Sequence, residues 1–259
     1  DNIKTLCANG VEYLKTMPKV DMIYIDPARR DSVGRKTIRI EDCSPDILEI
    51  EELLEEKSDV TMIKLSPMLD ISLALKSLKS ISHVHIISVN NECKELLFIK
   101  DKTGNKTQYH CINILNDKVD TFTFYREDEE ASRIDYKPNG CKYLYEPNAS
   151  ILKAGAYKSI AQSFNLDKLH ISSHLYASDT LIDNFQGRTF LIMNTLSLNK
   201  YDIKEYLSKI KQANITIRNF PLSVQEIRKK TGIEEGGDIY IFATTLSDER
   251  KVLLICKKA

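Results

Sequence analysis

The first half of the chain alternates short apolar runs with segments of helical periodicity. The apolar runs predict β-strands at residues 3–8, 20–26, 60–66 and 83–90. The segments between them predict α-helices at residues 11–17, 45–57 and 69–80. This alternation is typical of a parallel sheet whose strands are joined by crossover helices. Further on, Gly104-Asn105 lies between two more apolar runs and predicts a hairpin, so we expect the sheet to end in antiparallel strands.

The predicted helix at 45–57 has the clearest local signals. Ser44 and Pro45 suit the N-cap and first-turn positions of a helix. Four apolar residues then share one face, which we expect to pack against the sheet: Ile47, Ile50, Leu53 and Leu54.

The composition changes after residue 125. Residues 126–140 are polar and charged and end in Pro and Gly, so they predict a linker. Beyond it, helical spacing appears within 146–164, at 201–212 and at 223–232, the last of these ending at Gly232. Strands are predicted at 188–193, 215–220, 238–246 and 251–258. This succession predicts one or two small α+β domains.

Composition and charge exclude several classes of protein. No apolar run approaches the roughly 20 residues that span a bilayer, and the N-terminus lacks the pattern of a signal peptide. The six cysteines include no CxxC pair, so neither a zinc site nor a disulfide framework is predicted, and we expect a reducing cytoplasm. The net charge is zero, but residues 142–259 carry 17 Lys and Arg against 12 Asp and Glu. This excess favours an anionic partner for the second half.

The strand VDMIYID (20–26) ends in a carboxylate, which is followed by Pro27, Arg29 and Arg30. Ligands of open α/β sheets bind beyond the carboxyl ends of the strands, and a proline restricts the residue before it to an extended conformation. We therefore expect Asp26 to point from the rim of the sheet, where it can accept hydrogen bonds from a base amino group or bind a cation. The two arginines are candidates for binding substrate phosphates.

A structural interpretation of these charges stays open beside the functional one. Asp26 can cap its own loop while the arginines form ion pairs with Asp31 and Glu41 on a solvated face. Lys64, at the end of the next predicted strand, can reach the same crevice and bind a phosphate, or it can simply point into water.

The stretch IYIDPARRD resembles motif IV of Rossmann-type methyltransferases that use S-adenosylmethionine, in which a strand ends in Asp-Pro-Pro, Asn-Pro-Pro or a relative. Together with other segments it resembles, more closely, a bacterial family of predicted methyltransferases with a THUMP-like C-terminal domain. Those segments are VTMIKLSPMLD (60–70), NECKELL (91–97), YLYEPNASILKAGAYK (143–158) and ANITIRNFPLSVQEIRKKTGIEEGGDIYIFATT (213–245). The resemblance covers nearly the whole chain, and the combination of motifs is specific to that family.

The resemblance implies an α/β fold. Part of a Rossmann-like methyltransferase sheet, with parallel strands, helices and antiparallel last strands, would be followed by a smaller α+β region of ferredoxin-like and THUMP-like type. The expected division is 1–125 for the methyltransferase part, 126–141 for the linker, 142–186 for a small ferredoxin-like segment and 187–259 for the THUMP-like domain.

The resemblance also implies S-adenosylmethionine as cofactor. Relatives hold it with a glycine-rich loop after the first strand and an acidic residue after the second, and neither precedes IDPARR here. By that match the sequence begins at the third strand of the methyltransferase sheet. We expect that roughly a hundred residues or more, which include half of the cofactor pocket, lie outside the given sequence. Asn9 stands where relatives often carry the Asp that contacts adenine, and Asp26 borders the same pocket. The chain as it stands is expected to bind the cofactor poorly.

By the same resemblance, Asp26 and Pro27 are the expected catalytic residues, which orient a base nitrogen flipped out of its stack. The sulfonium is already a strong electrophile, so positioning would supply most of the rate. Ala28 replaces the second proline of the Asp-Pro-Pro enzymes, so the motif does not identify which base nitrogen is methylated. Ser66 stands where a uracil methyltransferase carries a cysteine and is too weakly acidic to attack the base, which disfavours carbon-5 methylation. We assign Lys64 and Ser66 to substrate binding.

Basic residues concentrate between Lys204 and Lys230, where seven are opposed by two acidic residues. Four of them surround one predicted helix and form a candidate phosphate-binding face: Arg218, Arg228, Lys229 and Lys230. An ordinary solvated helix is the alternative. THUMP domains bind RNA, so the resemblance favours RNA as the partner.

Two further groups of residues in the second half carry weaker signals. His170 and His174 are four apart and could share a helix face as metal ligands, but no third ligand is apparent, so no metal is predicted. Four tyrosines could stack on bases or, as is commoner, pack in a core: Tyr143, Tyr145, Tyr157 and Tyr176.

The leading hypothesis is a cytoplasmic methyltransferase that uses S-adenosylmethionine and acts on RNA, with no membrane or metal partner. Two alternatives are a non-catalytic RNA-binding module on a Rossmann-like frame and a methyltransferase for a small molecule or a protein. RNA binding would weaken with salt if phosphates are contacted, which separates the last alternative from the others.

Overall fold

A computed structural model of the chain describes residues 2–28, 40–41, 43–103, 106–116, 118–137 and 141–259. The chain divides into two units, Asp1–Glu127 and Asp128–Ala259. In the described residues, one sheet has six strands and the other has seven. The predicted α/β class is confirmed.

The first unit pairs its strands in both directions. Its helices are α1 (Gly10–Thr16), α2 (Ile47–Lys57) and α3 (Ile71–Ser77). Its strands are β1 (Val20–Ile25), β2 (Ser58–Leu65), β3 (Ile81–Val89), β4 (Glu92–Asp101), β5 (Gln108–Leu115) and β6 (Lys118–Tyr125). The order in the sheet is β1-β2-β4-β3-β5-β6. The pairs β1–β2 and β3–β5 are parallel, and the other pairs are antiparallel, as expected for the last strands.

Helix α2 begins two residues later than predicted because a different side chain caps it. The carboxylate of Asp46 accepts a hydrogen bond from the backbone N–H of Leu48 at 2.9 Å, which makes Asp46 the N-cap in place of Ser44. The predicted apolar face is largely correct. Ile47, Ile50 and Leu54 are buried on that face.

The strand predicted at residues 3–8 does not form. Ile3 and Leu6 are 83% and 66% exposed, and in the described part of the chain β1 pairs only with β2. A strand is stable only when its backbone N–H and C=O groups find a neighbouring strand, so an apolar run without one stays irregular.

The hairpin predicted at Gly104-Asn105 is wrong. Strands β4 and β5 are not neighbours, because β4 lies between β2 and β3 while β5 lies between β3 and β6. The hairpin forms one connection earlier, between β3 and β4, where Asn90 and Asn91 have φ angles of 50° and 62°. Two consecutive left-handed residues suit a tight hairpin turn, and asparagine tolerates them well. Gly104 and Asn105 themselves lie outside the described residues.

The second unit follows the first through a short helix. Its helices are α4 (Arg126–Ala131), which begins two residues before the boundary, α5 (Ala149–Ala154), α6 (Tyr157–Ser163), α7 (Lys200–Glu205) and α8 (Val224–Thr231), with a 3₁₀ turn at Leu207–Lys209. Its strands are β7 (Tyr143–Pro147), β8 (Asp167–Lys168), β9 (Tyr176–Ser178), β10 (Gly187–Leu196), β11 (Asn214–Arg218), β12 (Tyr240–Thr245) and β13 (Lys251–Lys258). The order in the sheet is β11-β12-β13-β10-β7-β9-β8.

Two of the helices predicted for the second unit are shorter than expected. The helical spacing within 146–164 resolves into the end of β7 and two short helices, which Gly155 separates with a φ angle of 74°. The helix expected at 201–212 ends at Glu205 and passes into the 3₁₀ turn. By contrast, α8 matches its prediction, with a capping box formed by Ser223 and Glu226 and an end at Gly232.

The predicted linker contains ordered structure. Helix α4 occupies its first six residues, and the buried carboxylate of Glu129 accepts hydrogen bonds from the backbone N–H groups of Lys158 and Ser159 at the start of α6. These bonds fasten α4 to the second unit.

The sheet of the second unit has apolar clusters on both faces. One cluster combines β7, β10, β12 and β13 with the loop before β9: Leu144, Leu169, Leu175, Phe190, Phe242 and Leu254 are among its members. The other lies under α8 and the 3₁₀ turn, with Leu207, Ala213, Ile227, Ile233, Ile241 and Ile255. Burial on both faces explains why β12 and β13 have continuous apolar runs.

Candidate functional site

The carboxylate of Asp26 lies at the rim of the first sheet, directly after β1. Its Oδ2 atom accepts a hydrogen bond from Nζ of Lys64, near the end of the parallel strand β2, at 2.7 Å. The pair continues the ladder of β1 and β2, whose last register pair is Ile25 with Ile63. Two side chains predicted separately to reach one crevice are therefore in contact.

This ion pair leaves part of Asp26 accessible. The side chains of Asp26 and Lys64 are 49% and 26% exposed. The hydrogen bond to Asp26 raises the pKa of the Lys64 amine against the opposing effect of burial, and Glu95, 3.6 Å away, raises it further. Oδ1 of Asp26 accepts no hydrogen bond from the described residues. Among the described residues, Lys64 thus holds this carboxylate through one of its two oxygens.

The Asp-Pro corner is fixed by its backbone. Pro27 is buried, and Ala28 exchanges two backbone hydrogen bonds with Ser44 at 2.8 and 2.9 Å. The backbone is therefore held on both sides of the corner. Strand β1 fixes the chain before Asp26, and Ser44 fixes it at Ala28, directly after the proline. Ser44, predicted to cap a helix, instead takes part in this anchor.

The other residues of the first unit that were predicted to bind substrate either have a structural contact or lie outside the described residues. Ser66 is buried, and its Oγ accepts a hydrogen bond from the backbone N–H of Met68, which is a turn-stabilising role. Arg29 and Arg30 lie outside the described residues, as does Asp31. Glu41, their other possible partner, accepts a hydrogen bond from the hydroxyl of Ser77 at 3.2 Å.

A pocket of about 520 Å³ lies between α1, β1 and α2. Asn9 stands at its edge and caps α1, because its Oδ1 accepts hydrogen bonds from the backbone N–H groups of Val11 and Glu12. Its amide N–H₂ donors remain, so Asn9 can face a ring nitrogen but is poorly placed to accept from an amino group. The lining is otherwise mostly apolar: Gly10, Val11, Tyr13, Leu14, Met17, Ile23, Tyr24, Ile25, Ser44, Pro45, Ile50 and Leu54.

The pocket suits only one part of S-adenosylmethionine. Apolar walls with a single amide at the edge fit a planar purine ring. The cofactor's methionine end carries an ammonium and a carboxylate, and none of the described lining residues is charged. The fit therefore extends to the adenine portion.

The basic residues around α8 divide into two groups. Lys229 and Lys230 are both exposed in the last turn of the helix. Arg228, by contrast, donates hydrogen bonds to the backbone carbonyls of Ile233 at 3.0 Å and Ala213 at 3.2 Å. Its guanidinium ties the end of α8 to the sheet, so the lysines are the better placed for a phosphate.

Arg218 takes part in a three-residue ion cluster. Its guanidinium donates two hydrogen bonds to Oε1 of Glu146, at 2.8 and 3.2 Å. Arg188 donates to Oε2 through its Nε at 2.8 Å and also through its Nη2. The Glu146 side chain is only 2% exposed, whereas both arginines keep more than a third of their side-chain surface in solvent. A buried carboxylate needs such partners. Arg218 therefore has a structural role beside any contact with RNA.

Three of the four tyrosines follow the commoner alternative and are packed. The hydroxyls of Tyr145, Tyr157 and Tyr176 donate hydrogen bonds to backbone carbonyls of Thr180, Leu152 and Tyr157, respectively. Tyr145 and Tyr176 are fully buried.

His170 and His174 share no helix, because they lie in the irregular segment between β8 and β9. His170 contacts Glu249 and Asn219, and the ring of His174 stacks on Tyr157 with 3.7 Å between centroids.

Two clusters in the structure are not evident from the sequence alone. One is the Glu146 cluster with Arg188 and Arg218. The other joins His83, His85 and His110 on one face of the first sheet. His-Val-His within a predicted strand already indicates two imidazoles on one face. Their third partner depends on the pairing of β3 with β5, which the wrongly predicted hairpin hid.

Comparisons with known protein families identify two domains in the second unit. Residues 143–185 match the family model of a ferredoxin-like domain, and residues 187–258 match that of a THUMP-like domain. The second unit thus carries a ferredoxin-like domain followed by a THUMP-like domain.

The boundary between the two domains falls at the start of β10, at Gly187. This residue lies so close to the backbone carbonyl oxygen of Glu146 that a Cβ atom would overlap it.

Most of the chain resembles one solved structure. It is 37% identical to a putative methyltransferase from Porphyromonas gingivalis W83, with a TM-score of 0.84 over 92% of this chain and 60% of that one. The chain therefore spans less than two thirds of that protein. No curated protein matches the chain.

Among the residues that the structure describes, no helix combines the length and the apolar content needed to cross a bilayer.

Proposed function

We propose that this chain is part of an S-adenosylmethionine-dependent methyltransferase that modifies a base nitrogen of RNA. The observation that carries the proposal is the half-exposed carboxylate of Asp26, held by Lys64 at the carboxyl ends of two parallel strands. This is where ligands of open α/β sheets bind. The resemblance to a methyltransferase and the THUMP-like domain support the choice of reaction and of RNA.

Each residue of the rim has a separate task in this proposal. Oδ1 of Asp26 accepts a hydrogen bond from the amino group of a flipped-out base, and this bond turns the nitrogen lone pair towards the methyl donor. Lys64 holds Oδ2 and so fixes the rotation of the carboxylate. Pro27 and the bonds between Ala28 and Ser44 keep the corner rigid. In this proposal the orientation of the two reactants supplies most of the rate enhancement. Reactants that are bound in line have already lost the freedom of movement that would otherwise be lost on the way to the transition state.

S-adenosylmethionine supplies the methyl group, and its adenine portion is proposed to lie in the pocket beside Asn9. When bound, the cofactor would supply an electrophilic methyl group and leave as a neutral thioether, so the positive charge would pass to the amino nitrogen before its proton is lost. Asp26 stabilises the positive charge that develops there until water removes the proton. Asn9 donates to a ring nitrogen from its free amide group in this arrangement.

The two units divide the work in this proposal. Residues 1–125 form part of the methyltransferase domain, 126–141 connect the units, and 142–186 with 187–259 form the ferredoxin-like and THUMP-like domains that bind RNA. Lys229 and Lys230 are the proposed phosphate contacts, and Arg29 and Arg30 are proposed for the phosphates near the acceptor. The six cysteines form no disulfide, which fits a reducing cytoplasm as the place of action.

The test compares modified nucleosides by mass spectrometry in RNA from cells that lack the gene and from the parent strain. We expect one N-methylated nucleoside to decrease in the deletion strain and to return when the gene is restored. An unchanged set of nucleosides, together with RNA affinity of the purified protein, would favour an RNA-binding module without catalysis. No change and no RNA affinity would favour a small-molecule or protein substrate.

A further inference from the structure

Two tyrosines of the THUMP-like domain stand in solvent, in contrast to those packed in the ferredoxin-like domain. Tyr201 in α7 and Tyr206 directly after it are 65% and 42% exposed. Their rings meet edge to face, with 6.2 Å between the centroids and 71° between the planes. A single exposed apolar side chain needs no explanation, whereas two aromatic rings in contact form a shared apolar surface that a partner can cover.

The backbone that carries these rings is fixed. Leu207, next to Tyr206, is fully buried in the apolar cluster under α8. The backbone N–H of Tyr206 donates to the carbonyl of Asp202 at 3.1 Å, and the N–H of Ile210 donates to the carbonyl of Leu207 at 3.0 Å. An ordered segment therefore presents the two rings, so little backbone freedom is lost when a ligand covers them.

The same segment carries positive charge at its surface. Residues 200–211 contain two acidic residues and four exposed lysines: Lys200, Lys204, Lys209 and Lys211. One of the acidic residues, Asp202, accepts hydrogen bonds from the backbone N–H and the hydroxyl of Ser197, both at 2.8 Å. The Nζ atom of Lys209 lies 5.9 Å from the ring centroid of Tyr206. Aromatic rings interleaved with cations match the alternation of bases and phosphates along a nucleic-acid strand.

This segment is also adjacent to the basic end of α8. The backbone carbonyl of Lys211 accepts a hydrogen bond at 2.9 Å from the N–H of Glu234, which follows shortly after α8. The helix that carries Lys229 and Lys230 and the segment that carries the tyrosines are thus joined through neighbouring backbone. A strand bound at α8 has a basic surface on which to continue.

We propose that Tyr201 and Tyr206 stack on bases of single-stranded RNA, while the lysines of residues 200–211 bind its phosphates. This inference rests on RNA as the partner in the proposed function, and it adds the form of RNA that this surface binds. Every base has a π face, so stacking on tyrosine requires unpaired bases but no particular sequence. The bases of a duplex are covered by their stacked neighbours, so a duplex would offer this surface only its backbone.

The test measures the binding of the full-length protein to a fluorescein-labelled, unstructured RNA of about 12 nucleotides by fluorescence anisotropy. The double variant Tyr201→Leu, Tyr206→Leu keeps apolar side chains but loses both rings, and its Kd should rise at least about tenfold. The double variant Tyr201→Phe, Tyr206→Phe keeps the rings and should bind nearly as the wild type does. Tyr136→Leu, which removes another exposed tyrosine of the second unit, is the matched control and should leave the Kd unchanged.

The salt dependence of binding separates stacking from charge. The leucine double variant changes no charge, so its slope of log Kd against log salt should equal that of the wild type. Lys204→Gln with Lys209→Gln should instead reduce the slope by about 0.7 for each phosphate that is no longer bound. Far-UV circular dichroism of each variant checks that it is folded.

The outcomes that overturn this inference differ from those that overturn the proposed function. A folded leucine double variant that binds the single strand as tightly as the wild type would exclude stacking on these rings and leave RNA as the partner of α8. A wild type that binds the matching duplex more tightly than the single strand would also overturn the inference, while methyl transfer to RNA would stand. No affinity for either RNA would contradict both.

Discussion

Nζ of Lys64 lies 2.7 Å from Oδ2 of Asp26, one position beyond the last register pair of β1 and β2. The contact joins the carboxyl ends of two parallel strands, so the two side chains hold each other at the rim. It leaves Oδ1 of Asp26 without a hydrogen-bond donor among the described residues. A carboxylate with one oxygen fixed and one oxygen open is suited to orienting an amino group.

Removing the lysine should affect catalysis more than stability. Since the pair is partly exposed, Lys64→Met should change the free energy of unfolding by less than about 1 kcal/mol. The rate of methyl transfer should fall about tenfold, because the carboxylate loses its fixed rotation. Urea unfolding and single-turnover transfer would measure the two effects. Lys64→Arg is the matched control, and a Lys64→Met rate equal to that of Lys64→Arg would argue against this role.

The ion cluster at Glu146 should matter for stability. Glu146→Gln leaves Arg188 and Arg218 without their shared carboxylate, and we expect a loss of about 2 kcal/mol or more in urea unfolding. Their partial exposure keeps the loss below that of two fully buried charges. Asp179→Asn, which removes an exposed bridge to Lys137, is the control and should stay within about 0.5 kcal/mol of the wild type. Equal effects from both variants would rule out a special role for the cluster.

Stability should fall in mild acid because of His174. Burial, together with the charges of Lys168 and Arg218, lowers its pKa from 6.5 to about 4. A histidine whose pKa is depressed in the folded state stabilises the fold fully above the unfolded pKa, and this contribution disappears as the pH falls from about 6.5 to 4. The loss is at most about 3 kcal/mol.

Urea unfolding at pH 7.5, 6 and 5 would measure this effect. His174→Phe retains a ring to stack on Tyr157 but cannot be protonated, so its stability should vary less with pH than that of the wild type. Parallel pH profiles for the two proteins would show that another group is responsible.

The RNA contact proposed for α8 predicts a difference between neighbouring basic residues. Lys229→Glu with Lys230→Glu should weaken RNA binding and reduce the slope of log affinity against log salt by about one for each phosphate that the variant no longer binds. Lys251→Glu with Lys257→Glu, exposed lysines of the same domain, is the control with equal charge change. Filter binding at several salt concentrations would compare them. Equal losses of affinity would indicate a general charge effect and no docking face at α8.

Much of the fold follows from local patterns. The apolar runs predict β1 and β2 correctly, and Gly232 correctly predicts the end of α8, because burial and capping are decided within a few residues. The pairing of the strands, by contrast, does not follow from local sequence. Gly104-Asn105 is a strong turn signal and Asn90-Asn91 a weaker one, yet the second forms the hairpin, because which strands fit side by side depends on the whole sheet.

The candidate site is predictable to the same extent. Asp26 follows β1 and Lys64 lies near the end of the parallel strand β2, so their shared rim can be expected from topology alone. The hydrogen bond from Lys64 to Asp26, the cap formed by Asn9 and the carbonyl contacts of Arg228 depend on side-chain geometry that no spacing encodes. The histidine group needs the register of β3 and β5, and the Glu146 cluster needs residues 72 positions apart to meet.

The central claim is that Asp26 orients the methyl acceptor. The most direct measurement is transfer of labelled methyl groups from S-adenosylmethionine to RNA by the full-length protein and by its Asp26→Ala variant, under single-turnover conditions with both substrates saturating. The account predicts at least a hundredfold lower rate for the variant, with unchanged RNA affinity and a native circular dichroism spectrum. A folded Asp26→Ala protein that transfers methyl groups at nearly the wild-type rate would contradict it.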